Sequence, residues 1–220
     1  MRPWPLLLLI ASCASPPPAK APPPQPSVSR EEVVRILDSL ERTFYVHWGA
    51  VERAPEVARL GPAHVPMLRE IADANGEQAL MACRVLLQRA PGERFSDAAK
   101  AILYVTAFER ESNFARWGTL SKGGIVPGVY GGELMATGEA AVPQLRKSLF
   151  DRRRARVQLR GGEREEAANR AQGDRVCDYA WILLATILRR PFDYVDEQDR
   201  RDLQIREFDV WLGRRGEFKK

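Results

Sequence analysis

The sequence predicts an all-α domain, and three observations support this prediction. Apolar residues recur at helical spacing through most of the chain after residue 28. Runs that alternate between polar and apolar residues, as strands do, are absent, and Gly or Pro stands at most junctions between the periodic segments. A short motif also recurs, because residues 61–69 align with residues 138–146 over matching Gly, Ala, Val, Pro, Leu and Arg positions.

The predicted helices follow one another along the chain. Ser29 with Glu32 makes a capping box at the start of the first helix. Its apolar positions follow at helical spacing: Val33, Ile36, Leu37 and Leu40. The later helices are predicted at residues 62–74, 77–90, 96–110, 130–137, 139–150, 174–189 and 196–213.

The recurring motif indicates a structural repeat. Its copies lie 77 residues apart, which equals two units of about 38 residues, close to the period of repeats built from helical hairpins. Each copy is followed by a second apolar helix. Pro66 and Pro143 fall near the first turn of their helices, where proline costs few backbone hydrogen bonds. Such a hairpin cannot bury its apolar face alone, so we expect neighbouring hairpins to stack.

These features resemble the HEAT-repeat family, whose units open with a Gly-x-Ala-Ala-Val-Pro-x-Leu pattern. Residues 138–145 and 61–68 carry this pattern, and residues 176–184 look like the second helix of a unit. Cys177 and Asp178 stand near the place where the family usually has an arginine. The resemblance implies a short, irregular α-solenoid of about three helical hairpins with flanking helices as caps. It also implies a role in binding proteins, without catalysis.

The N-terminus has the parts of an export signal. Arg2 is followed by the apolar run 6–10 and by the small residues Ala11 and Ser12 ahead of Cys13. This resembles the bacterial lipoprotein signal, in which a peptidase cuts before a cysteine that carries a diacylglycerol on its sulfur. We therefore expect a signal peptide at 1–12 and lipid attachment at Cys13. The alternatives are an ordinary cleaved secretion signal and a short apolar N-terminus without function.

The next segment favours an anchored protein. Residues 13–28 contain the cysteine and then mostly Pro, Ala and Ser, which favour an extended tether, and residues 29–220 remain for the helical domain. Ala14, in place of an aspartate, favours the outer membrane by analogy with the lipoprotein family. No later apolar run reaches the roughly 18 residues that cross a bilayer. We expect a periplasm-facing protein of the bacterial cell envelope, held in the membrane by its lipid and bound to another envelope protein.

Two departures from the repeat are candidate partner-binding surfaces. The loop 111–129 contains Phe114 and Trp117 among glycines and is followed by Tyr130, and such aromatic rings suit a binding loop. The alternative is that Phe114 and Trp117 fill a gap between helical layers. The charged insertion 151–173 opens with a basic run that could meet an acidic partner or phosphate groups: Arg152, Arg153, Arg154, Arg156 and Arg160. The alternative is a solvated loop that pairs its own charges.

Few residues suggest chemistry. The two histidines, His47 and His64, offer little to a metal site or a catalytic triad, and no phosphate-binding glycine loop is present, so no metal or cofactor is expected. Glu111, followed by Ser-Asn-Phe and by Ser-Lys-Gly at 121–123, resembles the start of lytic transglycosylase motifs. There a glutamate is the general acid toward a peptidoglycan glycosidic bond. The later Gly-Leu-Met-Gln and Ala-Tyr-Asn segments of that family are missing, so an enzyme using Glu111 is the alternative to a binding protein.

The formal net charge of +5 and the two remaining cysteines add little about partners. Of the 34 basic residues 28 are Arg, and a nucleic-acid partner is not expected for an exported protein. Cys83 and Cys177 fall in apolar helical stretches assigned to different layers of the repeat. A disulfide needs a short Cα separation, so we expect two unpaired thiols.

Overall fold

The computed structural model of the 220-residue chain describes residues 28–44, 54–90, 92–111, 114–121, 124–155 and 173–217. Helices make up most of this part of the chain, which confirms the all-α prediction. The predicted signal peptide, Cys13, almost all of the tether, His47 and the centre of the charged insertion lie outside the described residues. None of the described helices has the length and apolarity needed to cross a membrane.

Every helix predicted from the sequence is present, with shifted ends. The α-helices of the described residues are α1 Arg30–Phe44, α2 Pro55–Ala58, α3 Val65–Asp73, α4 Ala79–Arg89, α5 Asp97–Arg110, α6 Val129–Ala136, α7 Val142–Ser148, α8 Val176–Ile187 and α9 Gln198–Glu217. The short helix α2 was not predicted. The capping interaction at Ser29 is confirmed, since its hydroxyl oxygen accepts a hydrogen bond from the Glu32 backbone N–H at 3.2 Å.

The helices pack as successive neighbours around one continuous apolar core. Within the described part, α3 packs against α4, α5 against α6, and α7 against α8. Across these pairs, α5 also contacts α7 and α6 contacts α8. α1 lies against α4, and α9 lies against α8 at the other end of the series. Since α8 is buried on nearly all sides, it is the centre of the C-terminal half.

The two copies of the sequence motif have the same local structure. Each begins with a 3₁₀ turn, Pro62–His64 in one and Gly138–Ala141 in the other, and continues into an α-helix whose second residue is proline. The order of buried, half-buried and exposed residues is identical at all ten positions of 64–73 and 141–150. The helices α3 and α7 therefore start three residues later than predicted, because the 3₁₀ turn occupies the expected first turn.

The segment 111–129 contains two strands, so the prediction that it is a loop without regular structure is wrong. β1 Gly118–Ser121 and β2 Gly124–Pro127 form an antiparallel hairpin in which Gly118 lies opposite Pro127. Each strand has four residues, which is too few for a period-two pattern to stand out. Gly118 and Gly124 have φ angles of 135° and 126°, a conformation that residues with a Cβ rarely adopt. The Tyr179 hydroxyl on α8 donates a hydrogen bond to the Gly118 carbonyl oxygen at 3.1 Å and so ties the hairpin to the core.

The prediction of unpaired thiols is confirmed for Cys83 and Cys177. Both are free and buried, on α4 and α8 respectively. Burial raises the pKa of each thiol to about 11, so both are in the unreactive thiol form at neutral pH.

A glycine allows α6 to approach the residue that precedes the hairpin. A Cβ at Gly131 would lie 2.0 Å from the Trp117 carbonyl oxygen, whereas a Cβ at the adjacent Gly132 would lie 4.0 Å from its nearest neighbour, Pro127. We expect Gly131→Ala to lower the free energy of unfolding by about 1–3 kcal/mol, because backbone must move to admit the methyl group. Gly132→Ala is the matched control and is expected to be neutral or stabilising by up to about 1 kcal/mol. Urea unfolding followed by circular dichroism measures both, and equal losses would contradict the close approach.

Candidate functional site

A cleft of about 810 Å³ brings several titratable groups of the described residues together. Its walls are α1, the turn that leads into α4, and α5, and Glu111 lies at the C-terminal end of α5. Leu80, Leu103 and Ala107 give the cleft an apolar lining. A cleft of this size is within the range of roughly 300–1,000 Å³ that is typical of ligand sites.

Carboxylates dominate the polar groups of this cleft. Four acidic residues line it: Asp38 and Glu41 from α1, Glu77 from the turn before α4, and Glu111. Arg110 is the one basic residue among the described lining residues. Asp38 accepts a hydrogen bond from the Gln78 side-chain amide at 2.9 Å, which joins α1 to the turn before α4. The cleft therefore favours a positively charged group.

A buried arginine and a buried tyrosine contact each other at the floor of the cleft. Arg116 is 5% exposed and Tyr130 is 1% exposed. The Arg116 guanidinium donates to the Tyr130 hydroxyl at 3.2 Å and to the Glu41 backbone carbonyl at 3.1 Å. It also lies 3.6 Å from the Glu41 carboxylate. These contacts fix α1, the residues before the hairpin and α6 relative to one another.

The position of Glu41 changes its acidity. Burial raises the pKa of its carboxyl, and the negative charges of Glu111, Glu77 and Asp38 raise it further, while Arg116 opposes them. A carboxyl of this kind retains its proton to higher pH than an exposed glutamate. The cleft could therefore supply a proton donor as well as negative charge.

The two aromatic candidates for partner binding are buried. Trp117 is 0% exposed and packs edge-on against Phe108 and Tyr130, with ring centroids 5.0 Å and 5.6 Å apart. Phe114 also packs against Phe108, at 5.3 Å. Trp117 and Tyr130 are therefore core residues in this structure, and Tyr130 also lies at the floor of the cleft. Their role in binding a partner stays a prediction. The burial of Phe114 and Trp117 agrees with the alternative that these rings fill space between packed helices.

Two of the arginines at the start of the insertion make ion pairs within the chain. Arg152 makes an ion pair with Asp202, and Arg153 makes one with Asp151 at 2.6 Å. Arg154 is exposed, and its backbone forms an isolated antiparallel bridge with Arg175. At the described end of the insertion, Arg153 pairs with a carboxylate of the insertion itself, whereas Arg152 pairs with one on α9. The acidic partners of these two arginines are Asp151 and Asp202, not the glutamates at 163–166, which lie outside the described residues.

A buried ionic cluster lies directly after this insertion. It was not predicted from the sequence. Asp178 is 0% exposed, Arg201 is 2% exposed and Asp174 is 3% exposed. Arg201 lies 3.3 Å from Asp174 and 3.4 Å from Asp178, and Arg175 lies 3.0 Å from Asp178. Arg201 also donates to the Tyr194 hydroxyl at 2.6 Å. Asp178 marked a departure from the repeat pattern, but nothing in the local sequence indicated that α9 supplies its second basic partner, Arg201.

The other candidate residues have structural positions or lie outside the description. His64 is buried, and its Nδ1 accepts a hydrogen bond from the Gly61 N–H at 3.0 Å, so it caps the 3₁₀ turn before α3. No group of three or more His, Cys, Asp or Glu in the described ranges is arranged to hold a metal ion. Glu111 lies in the cleft, but Glu41, Glu77 and Arg116 were not foreseen, because only tertiary packing brings them to it.

No protein-family model matches this chain, and comparisons with curated proteins and with solved structures gave no significant match either.

Proposed function

We propose that this protein is a lipid-anchored scaffold of the bacterial cell envelope that binds another protein and catalyses no reaction. The observation that carries the proposal is the repeated unit, in which residues 64–73 and 141–150 share sequence, local structure and burial order. Repeated helical hairpins of this type provide extended surfaces for partners.

The proposed arrangement is a short, irregular HEAT-like solenoid of about three hairpins. The pairs α3/α4, α5/α6 and α7/α8 form its units, and the contacts of α5 with α7 and of α6 with α8 support stacking of the last two. α1 and α9 are the proposed caps. The hairpin β1/β2 and the insertion 151–173 are the places where the array departs from regular repeats.

We place the partner at the acidic cleft, because Trp117 is buried and Arg152 and Arg153 are ion-paired within the chain. The cleft lies between α1 and the first two proposed units, and it combines apolar lining with four carboxylates. A basic segment of an envelope protein suits these walls: the aliphatic parts of Lys or Arg would contact Leu80 and Leu103, and their charges would face Glu77 and Glu111.

The anchor is proposed from the N-terminal pattern. A lipid on Cys13 and a proline-rich tether would hold the domain beside the outer membrane on its periplasmic side. In that position the cleft would be presented to periplasmic segments of other envelope proteins.

Photo-crosslinking in the native envelope tests the binding surface. A photoreactive amino acid at Glu77, an exposed position on the lip of the cleft, is expected to capture one recurrent protein. The same group at Lys147, which is exposed on α7 away from the described cleft lining, is the matched control and should not. The charge reversal Glu111→Lys is expected to reduce capture from Glu77 about tenfold, since it replaces attraction by repulsion. Equal capture from Glu77 and Lys147, unaffected by Glu111→Lys, would rule out the cleft as the binding surface.

One observation favours a second candidate, a lytic transglycosylase-like enzyme. Glu111 shares the cleft with a second carboxyl group, that of Glu41, and most glycoside hydrolases use two carboxyl groups in one cleft. This candidate predicts that the purified protein releases soluble muropeptides from peptidoglycan and that Glu111→Gln abolishes the release. The scaffold proposal predicts no release from either protein.

A further inference from the structure

The last helix, α9, has one long face that no described part of the chain covers. Its inner side is buried against the core through Arg201, Ile205, Phe208 and Leu212. Six exposed residues form a single stripe on the outer side: Asp199, Leu203, Arg206, Glu207, Val210 and Arg214. Their spacing of 4, 3, 1, 3 and 4 residues keeps all six within one side of an α-helix.

The centre of this stripe is apolar. Leu203 and Val210 are 51% and 54% exposed and stand two turns apart. Large apolar side chains that are half exposed and aligned on one helix face are typical of helix–helix contacts. Their position on either side of Arg206 and Glu207 makes the stripe symmetrical about its midpoint.

The charges of the stripe are complementary to those of the same stripe on a second, antiparallel helix. About the midpoint between Arg206 and Glu207, Leu203 corresponds to Val210, and Asp199 corresponds to Arg214. In an antiparallel pair of identical helices, corresponding positions of the two copies lie at the same level. Each apolar residue would then meet an apolar residue, and each terminal charge would meet its opposite. At the midpoint, two arginines and two glutamates would form a neutral cluster.

We propose that this face of α9 binds a second copy of this chain, helix against antiparallel helix, about a two-fold axis between Arg206 and Glu207. Each contact then occurs twice, as in an isologous dimer. The occupant is a second copy because the stripe is complementary to its own reverse, in both charge and apolarity. Six residues on each side make an interface smaller than the usual roughly 800 Å² per partner, so the dimer is weak in dilute solution. The pairing does not depend on the proposed anchor or on the cleft.

Disulfide trapping tests the register of this pairing. In the full chain carrying Cys13→Ser, the remaining native thiols are buried, so an added surface cysteine is the reactive one. Protein with Leu203→Cys mixed with protein with Val210→Cys is expected to form a disulfide-linked heterodimer, because the two positions face each other across the interface. Either protein alone is the matched control. In a dimer of one variant, the two added cysteines, one on each chain, would be seven residues apart along the helix axis. This is about 10 Å, which is too far for a disulfide.

Charge exchange provides a second measurement on the same crosslink. Asp199→Arg or Arg214→Asp, introduced into both chains, is expected to reduce the trapped heterodimer about tenfold, because each creates two repulsive pairs. The double change Asp199→Arg with Arg214→Asp is expected to restore it. All these positions are exposed, so the melting temperature should stay near that of the parent. Equal trapping of the mixed and single-variant samples, or no recovery in the double variant, would overturn the proposal.

Discussion

Replacing Asp178 with alanine is expected to lower the free energy of unfolding by about 3–5 kcal/mol, the cost of removing one member of a buried ion pair. Asp178 is completely buried, and its carboxylate accepts hydrogen bonds from the Arg175 backbone N–H at 2.8 Å and from the Arg175 guanidinium at 3.0 Å and 3.1 Å. It also lies 3.4 Å from Arg201, which is buried as well. The substitution would leave both guanidinium groups with fewer partners and remove the acceptor at the start of α8.

One further variant separates the loss of charge from the loss of the hydrogen bonds, and a second one is the control. Asp178→Asn retains an oxygen acceptor for the Arg175 backbone N–H, so its effect should lie between those of the parent and the alanine variant. Asp193→Ala removes an exposed carboxylate from the segment between α8 and α9 and is expected to change stability by at most about 0.5 kcal/mol. Urea unfolding followed by helical circular dichroism gives all three values. If Asp178→Ala cost no more than Asp193→Ala, the ionic cluster would not stabilise the contact between α8 and α9.

Trp117→Ala is expected to destabilise the protein by about 3–5 kcal/mol, as large-to-small changes of fully buried aromatic residues do. The ring lies between Phe108 of α5 and Tyr130 of α6, so its removal would leave a cavity where these helices meet the hairpin. Both the lost burial and the cavity contribute to the cost.

Val126→Ala is the matched control for the tryptophan. Val126 belongs to the same hairpin but is 67% exposed, and its truncation should cost no more than about 0.5 kcal/mol. Thermal and urea unfolding of both variants, together with partner capture, distinguish the two roles of Trp117. Lost capture with unchanged stability would mean that the ring acts at a binding surface and would contradict its place in the core.

The helices were predictable because their signals are local. The capping box at Ser29, the apolar spacing of each segment and the proline in the first turn of α3 and α7 act within a few residues of one another. The motif recurring at Gly61 and Gly138 predicted a shared local structure, and the burial order extends that equivalence beyond the matching letters.

The remaining features depend on residues that are distant in sequence. The hairpin was missed because its strands are very short and are shaped by Gly118 and Gly124, which read as loop residues. From the sequence, the burial of Trp117 was one of two interpretations, since an aromatic residue in a loop can face either the solvent or the core. The cleft combines α1 with the end of α5, and the ionic cluster combines Asp178 with Arg201 of α9. No periodicity in the sequence specifies such pairings.

The distribution of Cys13→Ser between the membrane and soluble fractions is the most direct test of the central proposal, that a lipid holds a binding domain at a membrane. Membrane and soluble fractions are separated from cells producing the parent, Cys13→Ser, or Cys83→Ala as a control that removes a thiol from the domain. We expect the parent and Cys83→Ala to remain in the membrane fraction, and Cys13→Ser to be found in the soluble fraction with an unchanged circular dichroism spectrum. Folded Cys13→Ser that still sediments with the membrane would contradict lipid anchoring through this cysteine.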